Sequence, residues 1–496
     1  MLRKIVSAAR RTTIGKVLVL SVTTSFLASC GGGVGSFDMP TVPSLSIPSI
    51  GGGGRNVASG VFAAPGTDWG YVSVASPNYA GLVVADEPRA ALAARNILDE
   101  GGTAADAVTA LYFTLASTNP AAAGLGGGGV CLIHDEEAGR TQSIDFLPRA
   151  ATEGGPIAIP GNVRGFGQIH AAFGSMPWND VVDSTVPAAA SHPMARTMAR
   201  RLDHADSSFR GSPRLRRVLT NTDGVFLDEG DDFTQPNLAG TIGIIANRGP
   251  QDMYTGELAY RFVEEAAEDG GRLTTIDMQS YRPHVTTAQS IDIAGQTGFI
   301  PAGDTGAGFF FPEMTQKALR GLPQNPAPGT PSVSSIRADA ASVLAESGVR
   351  GSLPNDYGST SFAVTDESGL TIVCGVTMNG VFGTTNMGRS TGVVFARSPS
   401  DIEYGLSGAF LTPLIATDQS GELRLAAASA GGPDAAAALL YTAVNARAEG
   451  LGNALQNNGS QMTGTVNAIS CEGGRDGRCS IGVDPRGSGL GAESLR

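Results

Sequence analysis

The sequence predicts an α+β fold, and three observations lead to this class. Apolar residues recur at helical spacing in two stretches of the first half, residues 88–116 and 238–281. Residues 361–378 have the pattern of a strand, a turn and a second strand, which indicates a β-hairpin. An alanine-rich helical stretch, 435–446, follows a further strand pattern. With 496 residues, the chain can bury one large core or two ordinary ones.

The first helix is predicted over 88–99, because Ala, Leu and Ile recur at helical spacing until a glycine pair ends the segment. A threonine then caps a second, largely apolar helix over 104–116. The glycine-rich stretch 121–129 leads into a strand over 130–133. These glycines formally match a dinucleotide fingerprint. A helix precedes them and a strand follows, which is the reverse of the order that the fingerprint needs, so nucleotide binding is not predicted.

The second half of the chain contains the predicted strands. Residues 323–358 are rich in Pro, Gly, Ser and Ala and are predicted to form a loose linker. Two strands follow at 361–366 and 370–378, and a third is predicted at 423–428. The alanine-rich helix 435–446 comes next.

Composition and charge exclude several classes of protein. Hydrophobic residues make up 41% and charged residues 16%, so a disordered polyelectrolyte is excluded. The net charge of −12 argues against nucleic acid as a partner, because phosphate binding needs a basic face. The 68 glycines show no Gly-X-Y period, which excludes a collagen-like protein. We therefore expect the glycines in turns and where two backbone segments approach closely.

The N-terminus is predicted to be an export signal. Residues 1–29 contain five basic and no acidic residues, followed by an apolar run too short for a membrane span. They end in Leu-Ala-Ser before Cys30, which resembles the bacterial lipobox, and an ordinary cleaved signal peptide is the alternative. We therefore expect a signal peptide over 1–29, lipidation of Cys30 and a flexible tether over 30–71. The protein would be exported and lipid-anchored to a bacterial membrane, on its periplasmic or cell-surface side.

The remaining cysteines are predicted to play structural roles. Cys131 and Cys374 lie in apolar runs and are expected to be small buried hydrophobic residues. Cys471 and Cys479 lie close together in a chain expected to be exported, so a local disulfide is plausible. No metal site is predicted, because the five histidines are scattered and metal-ligand spacing is lacking.

Many segments, in order and with sensible spacing, resemble the gamma-glutamyltransferase family of N-terminal-nucleophile hydrolases. The resemblance covers roughly residues 72–486 and implies a four-layer αββα sandwich, with two stacked antiparallel sheets faced by helices. It also implies a large-subunit-like region, 72–358, and a small-subunit-like region, 359–496. The segments that carry it are Gly101-Gly-Thr-Ala-Ala-Asp106-Ala, Asn119-Pro120, Gly124-Leu-Gly-Gly-Gly-Gly129, Gln235-Pro-Asn-Leu238-Ala239, Tyr254-Thr-Gly256, Gly270-Gly-Arg-Leu-Thr274, Ser359-Thr360-Ser361-Phe362, Thr377-Met-Asn379, Phe382-Gly383 and Gly431-Gly432.

The resemblance implies that the precursor cuts itself before its nucleophile. The family's spacing places the nucleophile at Ser359 and the cleaved bond after Gly358, with Thr360 as the alternative nucleophile one step later. Glycine before the nucleophile permits a strained backbone. The freed α-amine of Ser359, with an unperturbed pKa of about 7.7–8.0, can take the proton from its own hydroxyl, so no separate histidine is required.

The resemblance also implies roles for five further residues. Thr377 would hydrogen-bond the nucleophile, and the backbone N–H groups of Gly431 and Gly432 would stabilise the oxyanion. Asn379 and Asp401 would bind the α-amino end of a glutamyl group.

This chain departs from the family pattern at the carboxylate end of that site. Leu147 stands where the family has an arginine that binds the substrate α-carboxylate as a bidentate fork, and leucine cannot replace it. Arg149, two positions on, is the candidate substitute. Ala409 and Phe410 stand where the family has a pair of serines.

The sequence therefore predicts a self-cleaving gamma-glutamyl hydrolase or transferase that acts on small amides such as glutathione through an acyl-enzyme. Its two fragments would stay associated, and nothing in the sequence requires a metal or an organic cofactor. Two alternatives remain open. One is a cephalosporin-acylase-like amidohydrolase for another acyl amide, and the other is a non-catalytic surface lipoprotein of the same fold.

Overall fold

The structure is a computed structural model that describes residues 72–205, 211–303, 306–350, 352–400, 405–460, 464–474 and 477–495. The predicted signal peptide, Cys30 and the tether therefore lie outside the described residues, and so does Asp401.

Two seven-stranded antiparallel sheets form the centre of the described residues. Sheet A has the strand order β1-β17-β16-β15-β14-β11-β10, and sheet B has the order β18-β2-β12-β13-β3-β4-β9. Two short strand pairs, β5–β6 and β7–β8, lie outside the sheets. The strands are β1 Val72–Val74, β2 Tyr79–Ala85, β3 Gly128–Asp135, β4 Arg140–Phe146, β5 Arg149–Ala150, β6 Ala158–Ile159, β7 Ser191–Pro193, β8 Asp232–Thr234, β9 His284–Thr287, β10 Gln289–Ile293, β11 Gln296–Ile300, β12 Ser359–Asp366, β13 Leu370–Thr377, β14 Leu414–Thr417, β15 Leu423–Ala430, β16 Thr465–Glu472, β17 Arg478–Gly482 and β18 Leu490–Leu495.

Helices cover the outer faces of both sheets. One short 3₁₀ helix, Ser407–Phe410, precedes β14. The α-helices are α1 Pro88–Asp99, α2 Ala104–Thr118, α3 Pro120–Ala123, α4 Asn162–Phe173, α5 Trp178–Asp183, α6 Val186–Ala190, α7 Arg196–Ala205, α8 Pro213–Leu219, α9 Pro236–Arg248, α10 Asp252–Thr255, α11 Glu257–Glu268, α12 Thr275–Ser280, α13 Ala307–Ala318, α14 Val333–Glu346, α15 Pro433–Glu449 and α16 Leu451–Asn457.

Alternation along the strands separates three apolar cores. On β12, Phe362 and Val364 face the helices that cover sheet B, whereas Ala363 faces sheet A. On β15, Leu425 faces the helices that cover sheet A, and Ala426 faces sheet B. Because successive side chains of a strand point to opposite faces, each sheet is buried on both sides. The order helices, sheet B, sheet A, helices confirms the predicted αββα sandwich.

The predicted elements agree with the structure except in one region. The first helix has the predicted bounds, and the hairpin turns at 366–369 as predicted. The loose linker predicted over 323–358 is wrong, because α14 forms within it. Its residues Ile336, Ala340 and Val343 recur at helical spacing and pack into the core beside sheet A.

Both pairs of cysteines form disulfides. Cys471 and Cys479 are cross-strand neighbours on β16 and β17, which confirms the local disulfide. Cys131 and Cys374 are buried as predicted, but they also form a disulfide, which was not predicted. They oppose each other in register on β3 and β13 and are bonded, with their Cα atoms 4.1 Å apart.

Within the described ranges, no helix is both long enough and apolar enough to cross a membrane.

Candidate active site

The predicted cleavage point lies at the entrance to β12. Gly358 has φ +59°, and a Cβ on it would lie 2.1 Å from the Gly380 carbonyl oxygen, so only glycine fits there. Its N–H donates to Asp356 Oδ1 at 2.8 Å, and its carbonyl oxygen accepts from Met378 N–H at 2.8 Å. Both peptide groups of Gly358 are therefore held in place.

Ser359, the predicted nucleophile, is the first residue of β12 and is only 1% exposed. It is on the face of β12 that points toward sheet A, where β15 ends. Its Oγ accepts a hydrogen bond from Gly431 N–H at 2.8 Å and lies 3.5 Å from the Gly431 carbonyl oxygen. The structure thus brings together the hydroxyl and one of the two backbone donors that the sequence predicted.

Thr360, the alternative nucleophile, is bonded elsewhere. Its hydroxyl donates to the buried carboxylate of Asp86 at 2.7 Å. The same carboxylate accepts from Ser361 N–H, and from Thr465 and Asn467 on β16. This network joins the start of β12 to sheet A and holds the Thr360 hydroxyl on Asp86. The geometry therefore favours Ser359 over Thr360.

Gly431 and Gly432 connect β15 to α15. Gly431 has φ +134°, and Gly432 is the N-cap residue of α15, a helix of 17 residues. Backbone N–H groups at a helix N-terminus, together with the helix dipole, favour negative charge. The pair can therefore stabilise an oxyanion that develops beside Ser359 Oγ.

Residues 354–357, here called the pre-cleavage segment, lie against this glycine pair. A Cβ on Gly432 would lie 2.8 Å from the Pro354 carbonyl oxygen, and one on Gly431 would lie 3.4 Å from that of Asn355. The intact chain therefore covers the surface on which a substrate carbonyl would have to bind.

Thr377 lies directly opposite Ser359 in the β12–β13 register. Its hydroxyl donates to the Tyr357 carbonyl at 3.1 Å, accepts from Asn379 N–H at 2.9 Å, and lies 2.6 Å from Ser407 Oγ. In the intact chain it thus fixes the pre-cleavage segment. Its hydrogen bond to the nucleophile stays a prediction for the cleaved protein.

Two of the three predicted substrate-binding residues, Asn379 and Arg149, lie among the described residues. Asn379 is buried two residues after Thr377, with φ +54°, and its side-chain amide donates to the Arg397 carbonyl at 2.9 Å. The guanidinium of Arg149 stacks 4.8 Å over the Tyr281 ring. The binding roles of Asn379, Asp401 and Arg149 stay predictions.

Leu147 lies beside the 3₁₀ helix that carries Ser407. Its side chain packs with Val130 and Leu411, and a Cβ on Gly408 would lie 2.8 Å from it. The position at which the resemblance expects a carboxylate-binding arginine is thus part of an apolar wall.

Two residues of the site were not predicted. Ser407 lies two positions before Ala409, the nearer of the two positions to which the resemblance pointed, so a small shift in alignment would have found it. Arg201 on α7 is 6% exposed and donates to the Ser359 carbonyl at 2.6 Å. Nothing in its sequence neighbourhood, which contains several arginines, distinguishes it.

Comparison with known proteins gives an independent view of residues 90–308. Residues 90–308 match the family model described as gamma-glutamyltranspeptidase. The chain is 31% identical over 219 residues to glutathione hydrolase proenzyme 1 of Schizosaccharomyces pombe, covering 40% of this chain and 34% of that protein. It is 31% identical over 237 residues to the glutathione hydrolase proenzyme of Escherichia coli, covering 43% and 41%. The chain thus spans less than half the length of these relatives.

Among solved structures, the fold is similar to that of cephalosporin acylase from Bacillus halodurans. The TM-score is 0.68, and the match covers 88% of this chain and 99% of that chain at 16% sequence identity. At this identity the likeness concerns the fold alone, and it agrees with the αββα sandwich described above.

Proposed function

We propose that this protein, whose residues 90–308 match the gamma-glutamyltranspeptidase family model, is a self-cleaving enzyme that hydrolyses or transfers gamma-glutamyl amides. One observation carries the proposal. Ser359 Oγ lies 2.8 Å from Gly431 N, and it directly follows Gly358, whose left-handed backbone and close approach to Gly380 admit only glycine. A hydroxyl, an oxyanion donor and a tightly held peptide link therefore meet at one buried point.

The first reaction is self-cleavage. Ser359 Oγ attacks the carbonyl carbon of Gly358, the C–N bond breaks, and the amine of Ser359 receives the proton. Water then hydrolyses the resulting ester, which leaves a carboxylate on Gly358 and a free hydroxyl on Ser359. The freed amine has an unperturbed pKa near working pH, so it can act as the general base for its own hydroxyl.

The second reaction acts on an external amide. After cleavage, the pre-cleavage segment is free to leave Gly431 and Gly432, and the substrate carbonyl takes its place. Attack by Ser359 Oγ generates an oxyanion that these two N–H groups stabilise, and removal of one such donor costs about 3–4 kcal/mol in the best-studied case. The leaving amine takes the proton, and water or a second amine resolves the acyl-enzyme.

The apolar wall at Leu147 favours a second candidate within the same chemistry. A substrate α-carboxylate placed against Leu147, Val130 and Leu411 would lose its hydration and gain no partner there. An acyl group whose far end carries no charge, such as pentanoyl, avoids this cost. This candidate is an amidohydrolase for an aliphatic acyl amide without a second carboxylate.

The test is a reducing denaturing gel of the full chain, with terminal sequencing of the fragments. We expect a fragment that begins at Ser359, and turnover of gamma-glutamyl-p-nitroanilide or pentanoyl-p-nitroanilide. Ser359→Ala should abolish both results. Ser361→Ala is the matched control, because Ser361 lies on the same face of β12 and donates to the Ala428 carbonyl. A single uncut band without turnover would favour a non-catalytic lipoprotein.

We also propose that the protein is exported and anchored to a bacterial membrane through lipid on Cys30. The lipobox-like sequence supports this, and so do two disulfides among the described residues, because disulfides persist in oxidising compartments. Labelled palmitate should be incorporated into the wild-type protein and not into Cys30→Ala. Labelling of both, or of neither, would contradict the anchor.

A further inference from the structure

The guanidinium of Arg201 is buried beside the proposed cleavage point and binds three separate parts of the chain. Nη2 donates to the Ser359 carbonyl at 2.6 Å, Nε donates to Asp356 Oδ2 at 3.0 Å, and Nη1 donates to Asn119 Oδ1 at 2.9 Å. Three nitrogens of one planar group thus have three different partners.

The contacts of Asp356 extend this arrangement to the other side of the bond. Asp356 Oδ1 accepts from Gly358 N–H at 2.8 Å while Oδ2 accepts from Arg201. The guanidinium therefore holds Ser359 directly and Gly358 through one carboxylate. These are the two residues whose connecting bond would break.

We propose that Arg201 is a positioning residue for self-cleavage, and this inference rests on the proposed function. It sets the distance and angle between Ser359 Oγ and the Gly358 carbonyl carbon by fixing the groups on either side of the bond. None of these three hydrogen bonds of Arg201 goes to the reacting oxygen or carbon, and Arg201 takes no proton.

A guanidinium suits this task better than an ammonium does. Its donors are held in a rigid plane, so the spacing between its partners is fixed, whereas a lysine is a single point charge on a flexible stem. Misplacement of reacting groups by about 1 Å can cost roughly 100-fold in rate. Arg201→Lys is therefore expected to cleave slowly even though it keeps the charge.

The experiment follows cleavage of freshly translated full-length chain over time on reducing gels. Arg201→Lys and Arg201→Ala should slow the appearance of the 359–496 fragment by at least about tenfold. Guanidinium chloride at low millimolar concentration should restore Arg201→Ala at least about fivefold over the same concentration of sodium chloride. A purely structural role would not produce this ion-specific rescue.

Arg200→Ala is the matched control. Arg200 is the neighbouring residue on α7 and donates to the carbonyls of Arg486 and Gly487, away from the cleavage point. It should cleave at the wild-type rate. If Arg201→Ala does not fold, Asp356→Asn replaces it: with Oδ1 on Gly358 N–H, its amide nitrogen would face the guanidinium donors, so cleavage should again slow at least about tenfold.

Three results would overturn the inference: wild-type cleavage by Arg201→Ala, slow cleavage that guanidinium does not restore, or wild-type cleavage by Asp356→Asn when that variant carries the test. A wild-type chain that never cleaves before Ser359 would instead contradict the proposed function itself, so the two failures are distinguishable.

Discussion

Gly358→Ala is expected to slow self-cleavage strongly without unfolding the protein. Gly358 has φ +59°, a conformation that costs an L-residue about 1–2 kcal/mol. A Cβ there would also lie 2.1 Å from the Gly380 carbonyl oxygen, where a normal contact needs about 3 Å. The two backbones would have to separate by roughly 1 Å, which displaces the carbonyl carbon from Ser359 Oγ. We expect cleavage to slow about 100-fold, equivalent to about 3 kcal/mol in the barrier.

Gly348→Ala separates the cost of the left-handed backbone from the cost of the steric clash. Gly348 also has a left-handed φ, +85°, but a Cβ there meets nothing within 4 Å. This variant should lose about 1 kcal/mol of unfolding free energy and cleave normally. The assay is the time course of fragment formation on reducing gels, with urea unfolding of both variants. Cleavage of Gly358→Ala at the wild-type rate would refute the argument that this link is geometrically constrained.

Three further predictions concern stability and specificity. Burial lowers the pKa of His192 to about 4, so its contribution to stability is complete above pH 6.5 and is lost as the pH falls towards 4. Urea unfolding at pH 7 and 4.5 should therefore differ by about 2.5 kcal/mol more in the wild type than in His192→Asn. Burial raises the pKa of Asp106, but the His170 imidazole, with Nε2 3.2 Å from Oδ1, and hydrogen bonds from backbone N–H groups to Oδ2 outweigh it and hold the pKa well below the usual range. Asp106→Asn should lose about 3 kcal/mol at pH 7 by urea unfolding, and a loss under 1 kcal/mol would contradict this account. Leu147→Arg should raise kcat/KM for gamma-glutamyl-p-nitroanilide relative to pentanoyl-p-nitroanilide, which has no carboxylate for the guanidinium to bind, at least about tenfold, and an unchanged ratio would mean that Leu147 does not line the acyl site.

Local signals account for what could be predicted of the fold. The helix over 88–99 ends where a glycine pair ends its apolar spacing, and the hairpin turns at four polar and glycine residues. The helix α14 was missed because Pro, Gly and Ser surround it and because only three of its residues, Ile336, Ala340 and Val343, are buried apolar residues. The surrounding composition indicated a linker, although these three residues recur at helical spacing.

Long-range pairing accounts for what could not be predicted of the site. Cys131 and Cys374 are 243 residues apart, and only the adjacency of β3 and β13 brings them together. Arg201, on the helix α7, likewise contacts Ser359 from 158 residues away in the chain. Neither contact leaves a local signal. The position of Ser359, by contrast, follows from the ordered resemblance, because the spacing to Thr377 spans a single hairpin.

The bridge between Cys131 and Cys374 has a consequence for the processed molecule. Its two sulfurs lie on opposite sides of the proposed cut, one in the region 72–358 and the other in 359–496. Self-processing would therefore yield two polypeptides that share a covalent link in the middle of a buried sheet. Dilution, heat or denaturant alone could not part them, and neither half could be exchanged for that of another molecule. A thiol reagent would be needed to release them, so the same sample would run as one species before reduction and as two afterwards.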